Sequence, residues 1–92
     1  MVKSKIIIHI PSGLHLRPIS ALCNKAIEFQ SNITIKFGDK RVNAKSVLGM
    51  LSAGIKYDDE IELVCDGPDE DEALRVLSAL LSEGLREQFS KK

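Results

Sequence analysis

The sequence predicts an α+β fold in which a four-stranded antiparallel sheet carries three helices on one face and leaves its other face open to water. Short segments that alternate apolar and polar residues predict the strands, because a strand with one buried face has a period of two. Two longer segments repeat their apolar residues every three or four positions, which predicts helices with one buried stripe. The chain has 92 residues, 43% of them hydrophobic, and this suits one core between two layers. The predicted order is β-α-β-β-α-β-α.

Residues 5–10 are predicted to form the first strand. The isoleucines at alternate positions share the inward face: Ile6, Ile8 and Ile10. His9 then lies on the open face, as an ordinary solvent-facing strand residue. Proline, serine and glycine at positions 11–13 end the strand.

The first helix is predicted from about residue 16 to residue 29. Pro18 requires a start at His15 or Leu16, because proline is harmless only in the first turn, where its missing N–H would have no helical partner. The apolar stripe recurs at helical spacing: Ile19, Leu22, Cys23, Ala26 and Ile27.

A hairpin and a short helix follow. Residues 32–37 alternate with Ile33, Ile35 and Phe37 inward, and Gly38-Asp39 predicts a two-residue hairpin loop that leads to a short strand over residues 40–43. Ser46 is suited to cap a short helix that Gly54 ends. The apolar residues of that helix are Val47, Leu48, Met50 and Leu51.

The last strand and the last helix complete the pattern. The inward face of the strand consists of Ile61, Leu63 and Cys65. Asp69 with Glu72 predicts a capping box that begins the helix. The helix stripe consists of Ala73, Leu77, Leu80 and Leu81.

Composition argues against several classes of protein. The 13 basic and 13 acidic residues cancel, whereas a hold on nucleic acid or on an anionic membrane relies on clustered Lys and Arg. The apolar run after the basic start is too short for a secretory signal, and no stretch approaches the ~20 apolar residues of a membrane span. Cys23 and Cys65 match no metal-ligand spacing and fall on inward faces, so we expect reduced core thiols. We expect a cytoplasmic single domain over residues 1–92, without metal or cofactor.

His15 is the strongest candidate for chemistry. It lies at the predicted start of a helix, where backbone N–H groups and a partial positive charge bind phosphate well. Arg17 adds a fork of donors suited to phosphate oxygens. Imidazole titrates near neutral pH, so its neutral form is available as a nucleophile. The local spacing alone fits a plain N-cap at His15 and a solvated Arg17 at least as well.

Three other features also have structural explanations. Capping alone accounts for Ser46. The acidic residues 69–72 suit a helix start, because the helix dipole favours negative charge there. Leu48 and Leu51 suit either the core or an exposed apolar patch for a partner.

Four segments resemble, in order and spacing, the HPr family of histidine-containing phosphocarriers of the bacterial phosphoenolpyruvate-dependent sugar phosphotransferase system. They are residues 13–18 (GLHLRP), 43–49 (NAKSVLG), 54–55 (GI) and 67–70 (GPDE). The resemblance covers nearly the whole chain except its last few residues, and it implies an open-faced β-sandwich. It implies that His15 is the phosphorylated histidine and that Arg17 pairs with the phosphoryl group. It also places Ser12 and Leu16 beside that group and makes Ser46 a regulatory phosphorylation site.

The resemblance also implies partners. Phosphorylated enzyme I would supply the phosphoryl group and enzyme IIA domains would receive it, so the protein is expected to be a monomeric carrier rather than a free-standing enzyme. A serine kinase/phosphorylase and a catabolite-control regulator are expected at Ser46. The docking surface would consist of Leu16, Ser20, Val47, Leu48 and Leu51. The chain departs from the family at Leu16, where a small residue is usual, and at Asn24, where a basic residue is frequent.

Two alternatives belong to other classes. The first is a purely regulatory relative that binds its targets through Ser46 and the apolar residues Leu48 and Leu51, and the presence of His15 and Arg17 argues against it. The second is a small RNA-binding module. Zero net charge, an aromatic content of only 4% and the lack of a Gly-x-x-Gly loop argue against RNA binding.

Overall fold

Four antiparallel strands form one sheet, as the sequence predicts, and in space the fourth strand along the chain lies between the first and the second, with the third at the edge beside the second. The computed structural model describes residues 1–10 and 13–84, with backbone alone for residues 83 and 84. The strands are β1 (Val2–Ile7), β2 (Asn32–Phe37), β3 (Lys40–Asn43) and β4 (Glu60–Asp66). The helices are α1 (Leu16–Ala26), α2 (Val47–Ala53) and α3 (Glu70–Ala79), and α3 continues into a π-helical segment, Leu80–Gly84.

The strands alternate as predicted, and their inward side chains meet the helices in one core. In β2 and β4 the register pairs Ile33 with Cys65 and Ile35 with Leu63, so one row of apolar side chains crosses the centre of the sheet. All four of these residues are buried. The opposite face carries polar pairs such as Lys36 beside Glu62, whose side chains form a 3.6 Å ion pair. The sheet therefore has one packed face and one polar face.

The first strand lies earlier in the chain than predicted, over Val2–Ile7 rather than residues 5–10. Its partner β4 sets these limits, because the ladder runs from Val2 opposite Cys65 to Ile7 opposite Glu60. Beyond Ile7 the chain bonds to a turn instead: Ile8 N–H donates to the Asp59 carbonyl at 2.9 Å. The prediction of faces is correct, since Ile6, Ile8 and Ile10 are buried and His9 is exposed. His9 nevertheless lies outside the strand.

Helix α1 begins as predicted and ends early. Leu16 is its first residue, and Pro18 lies buried in its first turn. The helix ends at Ala26 rather than residue 29, and Ile27 is 60% exposed instead of lying on the buried stripe. The physical reason lies just downstream, where the backbone N–H groups of Gln30 and Ser31 bond to the Asp69 carboxylate. That contact draws the chain out of the helix towards β2.

The predicted capping box at α3 is wrong. Asp69 is the N-cap residue, but its side chain accepts no hydrogen bond from the helix because both oxygens face Gln30 and Ser31. The carboxylate of Glu70 instead accepts the Gly67 N–H at 3.0 Å, and Glu72 pairs with Arg75 at 2.8 Å. The predicted stripe is otherwise correct: Ala73, Leu77 and Leu81 are buried, and Leu80 packs against the core at its margin.

Both cysteines are buried free thiols, as predicted. Burial raises the pKa of each thiol, and for Cys65 burial together with the nearby Glu70 and Asp69 carboxylates raises it to about 11. In the described part of the chain, no three side chains of the His, Cys, Asp and Glu types come together as a metal site. Within the same residues, none of the helices is both long and apolar enough to cross a bilayer.

Candidate active site

His15 is the residue from which α1 starts. It occupies the N-cap position with an extended backbone (φ −115°), and its carbonyl accepts the Ile19 N–H at 3.0 Å, which closes the first turn. Its side chain is exposed and does not cap the helix. A capping role therefore does not account for the imidazole, although it was one of the two explanations open from the sequence.

The first turn of α1 supplies positive charge beside His15. Arg17 is the second residue of the helix, and its side chain is exposed. The first N–H groups of any helix lack partners within that helix, and the aligned peptide dipoles give this end a partial positive charge. The helix has 11 residues and no acidic residue in its first turn. An anion next to His15 would meet attractive charge from both the backbone and the guanidinium.

The loop that carries His15 is fixed to the chain that follows α2. Leu14 is buried, and its N–H donates to the Ile55 carbonyl at 3.0 Å. Gly13 N–H donates to the Ile10 carbonyl at 2.7 Å. The sequence singled out Ile55 only through the family resemblance, because a backbone bond between residues 14 and 55 leaves no local pattern.

Ser46 caps α2 as predicted. Its hydroxyl accepts the Gly49 N–H at 3.1 Å, and its own N–H donates to the Asn43 carbonyl at 2.9 Å. Gly54 ends the helix in the left-handed conformation at φ +68°, which glycine adopts without the steric penalty of a Cβ. The hydroxyl is half-buried and already bonded, so capping accounts for its position in this structure.

The apolar residues of α2 divide between the core and the surface. Met50 is fully buried, whereas Leu48 is 79% exposed and Leu51 is 39% exposed. Leu16 at the start of α1 is 55% exposed, and α1 packs against α2. An exposed apolar patch is therefore the correct alternative for Leu48 and Leu51. The other residues assigned to docking, Ser20 and Val47, are half-buried. Ser12, which the resemblance places beside the phosphoryl group, lies outside the described residues.

Two lysines that the sequence analysis did not single out hold neighbouring segments in place. Lys40 donates from Nζ to the Ala53 carbonyl at 3.2 Å, at the negative end of α2. Lys45 donates from Nζ to the Phe29 carbonyl at 2.7 Å, and it thereby ties the chain before α2 to the segment that follows α1. Both contacts join residues that are distant in sequence, so no local signal indicates them.

Comparison with known proteins gives one consistent result. The family model described as "PTS HPr component phosphorylation site" matches residues 2–83. The chain is 35% identical over 83 residues to HPr-like protein Crh of Bacillus subtilis, covering 90% of this chain and 98% of that protein. It is 40% identical over 73 residues to phosphocarrier protein HPr of Lysinibacillus sphaericus, covering 79% of this chain and 83% of that one.

Solved structures agree with the fold. HPr-C-His from Thermoanaerobacter tengcongensis superposes with a TM-score of 0.85 at 36% identity, covering 88% of this chain and 91% of that one. A structure titled as an HPr dimer from the same organism has a TM-score of 0.69 at 36% identity, covering 87% and 92% of the two chains.

Proposed function

This chain belongs to the HPr family of phosphotransferase-system phosphocarriers, and we propose that it carries the phosphoryl group on His15. The observation that supports this most directly is the geometry at the start of α1. An exposed imidazole that does not serve as a cap lies beside the positive end of the helix and two residues before Arg17. His9 has no comparable surroundings, because it lies in a connection after β1 rather than at a helix start.

The transfer is a displacement at phosphorus. A nitrogen of the neutral His15 imidazole forms a bond to the phosphorus atom while the bond between phosphorus and enzyme I breaks, and enzyme I keeps that electron pair. In the second step the acceptor group of an enzyme IIA domain forms the new bond to phosphorus, and the imidazole leaves as it arrived. Such transfers depend mainly on positioning and on stabilisation of charge on the phosphoryl oxygens.

The residues around His15 have separate roles in this proposal. The guanidinium of Arg17 and the backbone N–H groups of the first turn, including that of Leu16, face the phosphoryl oxygens. The backbone N–H groups are fixed by the helix and need no reorganisation when charge develops. Ser12 is assigned to the same oxygens by resemblance to the family. Because the phosphoryl group resides on His15 between the two steps, the protein acts in this proposal as a carrier and not as a free-standing enzyme, and the chemistry requires neither a metal nor a cofactor.

Partners would dock on the surface formed by Leu16, Ser20, Val47, Leu48 and Leu51. The exposure of Leu16, Leu48 and Leu51 on two helices in contact supports this assignment, because apolar patches with polar surroundings mark protein interfaces. We propose enzyme I and enzyme IIA domains as the partners and the cytoplasm as the location. Leu16 adds apolar bulk beside His15, and we propose that it influences the choice among partners.

Ser46 is proposed as the regulatory site of the same surface. It lies at the start of α2, one turn from the exposed Leu48 and Leu51. A phosphate added there by a serine kinase/phosphorylase would place a dianion beside that patch. It would oppose docking of an acidic partner and create a charged epitope for a catabolite-control regulator.

A purely regulatory role is the second candidate function. The similarity to HPr-like protein Crh extends over 90% of this chain, and this favours such a role. In that case Ser46 and the patch of Leu48 and Leu51 would be used, and His15 would accept no phosphoryl group. The oligomeric state also stays a prediction: we propose a monomer, while a dimer is known for a related HPr structure.

One experiment separates the two candidates. The purified protein is incubated with enzyme I and phosphoenolpyruvate, and its intact mass is measured before and after mild acid. The carrier role predicts a gain of one phosphoryl group that acid removes, and His15→Ala abolishes the gain. A protein that gains nothing under conditions where a known HPr is phosphorylated would exclude the carrier role and favour the regulatory one. Light scattering on the same sample gives the oligomeric state.

A further inference from the structure

Gly13 lies two residues before His15 in a conformation that favours glycine. Its φ is +77°, in the left-handed region that L side chains rarely adopt. Hydrogen bonds hold the chain on both sides of its Cα, since Gly13 N–H bonds to Ile10 and Leu14 N–H bonds to Ile55. The loop that leads to His15 therefore has little freedom at this point.

The chain that follows α2 also approaches Gly13 closely. A Cβ at this position would lie 3.0 Å from Lys56 Cα, 3.1 Å from the Ile55 oxygen and 3.3 Å from the Tyr57 nitrogen. All three are backbone atoms, so a change of rotamer cannot relieve the contact. Leu14 and Ile55 are 6% and 2% exposed, so neither segment can retreat without opening the core.

We propose that Gly13 is a positioning residue for phosphoryl transfer, because the missing Cβ lets the His15 loop lie directly on residues 55–57. This proposal rests on the proposed function. With a side chain at position 13, the loop and residues 55–57 would have to separate by a few tenths of an ångström on a strained left-handed backbone, and His15 would move with the loop at the start of α1. Transfer needs the imidazole nitrogen in line with the phosphorus atom and the donor, and a displacement of about 1 Å can slow such a step about 100-fold.

Gly38 provides a matched control for Gly13→Ala. It also has a positive φ of +62°, but no atom lies within 4 Å of the Cβ that alanine would add in the hairpin loop. Both substitutions therefore place a Cβ on a residue with left-handed backbone. Only in Gly13→Ala does that Cβ also lie against neighbouring backbone atoms. A difference between the two variants isolates the close approach from the conformational strain.

The test measures the rate of phosphorylation of His15 by enzyme I in both variants. Gly13→Ala is expected to slow transfer several-fold, up to about 10-fold, whereas Gly38→Ala transfers near the wild-type rate. Circular dichroism establishes that both variants are folded in the assay. If Gly13→Ala is partly unfolded, the assay is repeated in an osmolyte that favours the folded chain. A folded Gly13→Ala protein that transfers as fast as Gly38→Ala overturns the proposal.

The His15 ring-proton NMR signals provide a second measurement that needs no phosphoryl donor. They are expected to shift in folded Gly13→Ala and to stay in place in Gly38→Ala, because only the first variant displaces the loop. Unchanged ring signals in Gly13→Ala would also overturn the proposal. If the wild-type protein itself is not phosphorylated by enzyme I, the proposed function fails, and these signals still decide whether Gly13 positions His15.

Discussion

Ser31 donates its hydroxyl hydrogen to Asp69 Oδ1 at 2.6 Å, although the two residues are 38 positions apart. The same carboxylate also accepts the backbone N–H groups of Gln30 and Ser31. Ser31 is fully buried, and a Cβ at Gly67 would lie only 2.6 Å from its Cα. This contact fixes the entry to β2 against the start of α3, and it explains why Asp69 does not cap its own helix.

The contact predicts how stability depends on pH. The hydrogen bonds from Ser31 and Gln30 lower the pKa of Asp69 below its ordinary value of 3.8. A carboxyl group whose pKa is lower in the folded state stabilises the fold above its unfolded pKa, and this stabilisation is lost as the pH falls through the folded pKa. Asp69→Asn is therefore expected to lower the melting temperature at neutral pH, with the deficit shrinking below about pH 4. Thermal melts of the wild-type protein and of Asp69→Asn at a series of pH values measure this difference in melting temperature.

Asp71→Asn is the matched control for Asp69→Asn. Asp71 is exposed in the first turn of the same helix. The substitution Asp71→Asn therefore removes one negative charge near the same helix dipole and leaves the contact between Asp69 and Ser31 intact. A deficit of equal size in both variants would show that the charge at the helix start, and not the contact with Ser31, stabilises the fold.

Phosphorylation is expected at His15 and not at His9. Only His15 lies at a helix start, where the proposed mechanism has backbone donors and Arg17 bind the phosphoryl oxygens. His15→Ala should abolish the acid-labile label that enzyme I and phosphoenolpyruvate produce, and His9→Ala should leave it unchanged. Both side chains are exposed, so neither substitution should unfold the protein. A label that survives His15→Ala would contradict the main proposal.

Arg17→Ala is expected to slow transfer strongly and to change stability by less than about 0.5 kcal/mol, because the side chain is exposed in the first turn of α1. Arg17→Lys serves as the control. It keeps the charge and removes the planar fork of donors, so an intermediate rate is expected. Stopped-flow transfer rates and thermal melts give the two quantities. A large drop in melting temperature with normal transfer would assign Arg17 a structural role instead.

The two thiols are expected to react slowly in the folded protein. The thiolate is the reactive species, and burial raises the pKa of both groups, that of Cys65 to about 11. Alkylation of Cys65 in the folded protein should therefore keep accelerating with pH until the pH reaches about 11. Under denaturing, non-reducing conditions both thiols should be alkylated. A mass lower by two hydrogens, with neither thiol reactive, would show a disulfide.

Ser46→Asp tests the regulatory proposal. Aspartate is as good an N-cap as serine, and its charge suits the positive end of α2, so the melting temperature should stay equal or rise slightly. The charge beside Leu48 and Leu51 should slow phosphorylation of His15 by enzyme I.

Ser46→Asn is the control for Ser46→Asp, because asparagine caps a helix without adding charge. It should leave the rate at His15 near that of the wild-type protein. If Ser46→Asp destabilises the protein and leaves the rate unchanged, Ser46 is only a cap.

Patterns within a few residues determined much of this structure. Alternation predicts the inward faces of the strands, Pro18 fixes the start of α1, and the Gly38-Asp39 loop joins β2 to β3 as predicted. Ser46 caps α2 as its position indicates. Each of these features depends on contacts within about one turn or one hairpin, and such contacts are encoded by neighbouring residues.

The features that depend on contacts between distant segments were determined only by the tertiary structure. β1 lies over residues 2–7 because β4 begins opposite Ile7, and α1 stops short of residues 30 and 31, whose N–H groups bond to the Asp69 carboxylate. The same carboxylate leaves the predicted capping box unformed. The backbone of Gly13 lies against residues 55–57, and nothing in residues 10–18 alone indicates that approach. A side chain that could bond either to a residue nearby in sequence or to a distant one bonds to the partner that packing of the core brings within reach. The local sequence does not specify the distance to the distant partner.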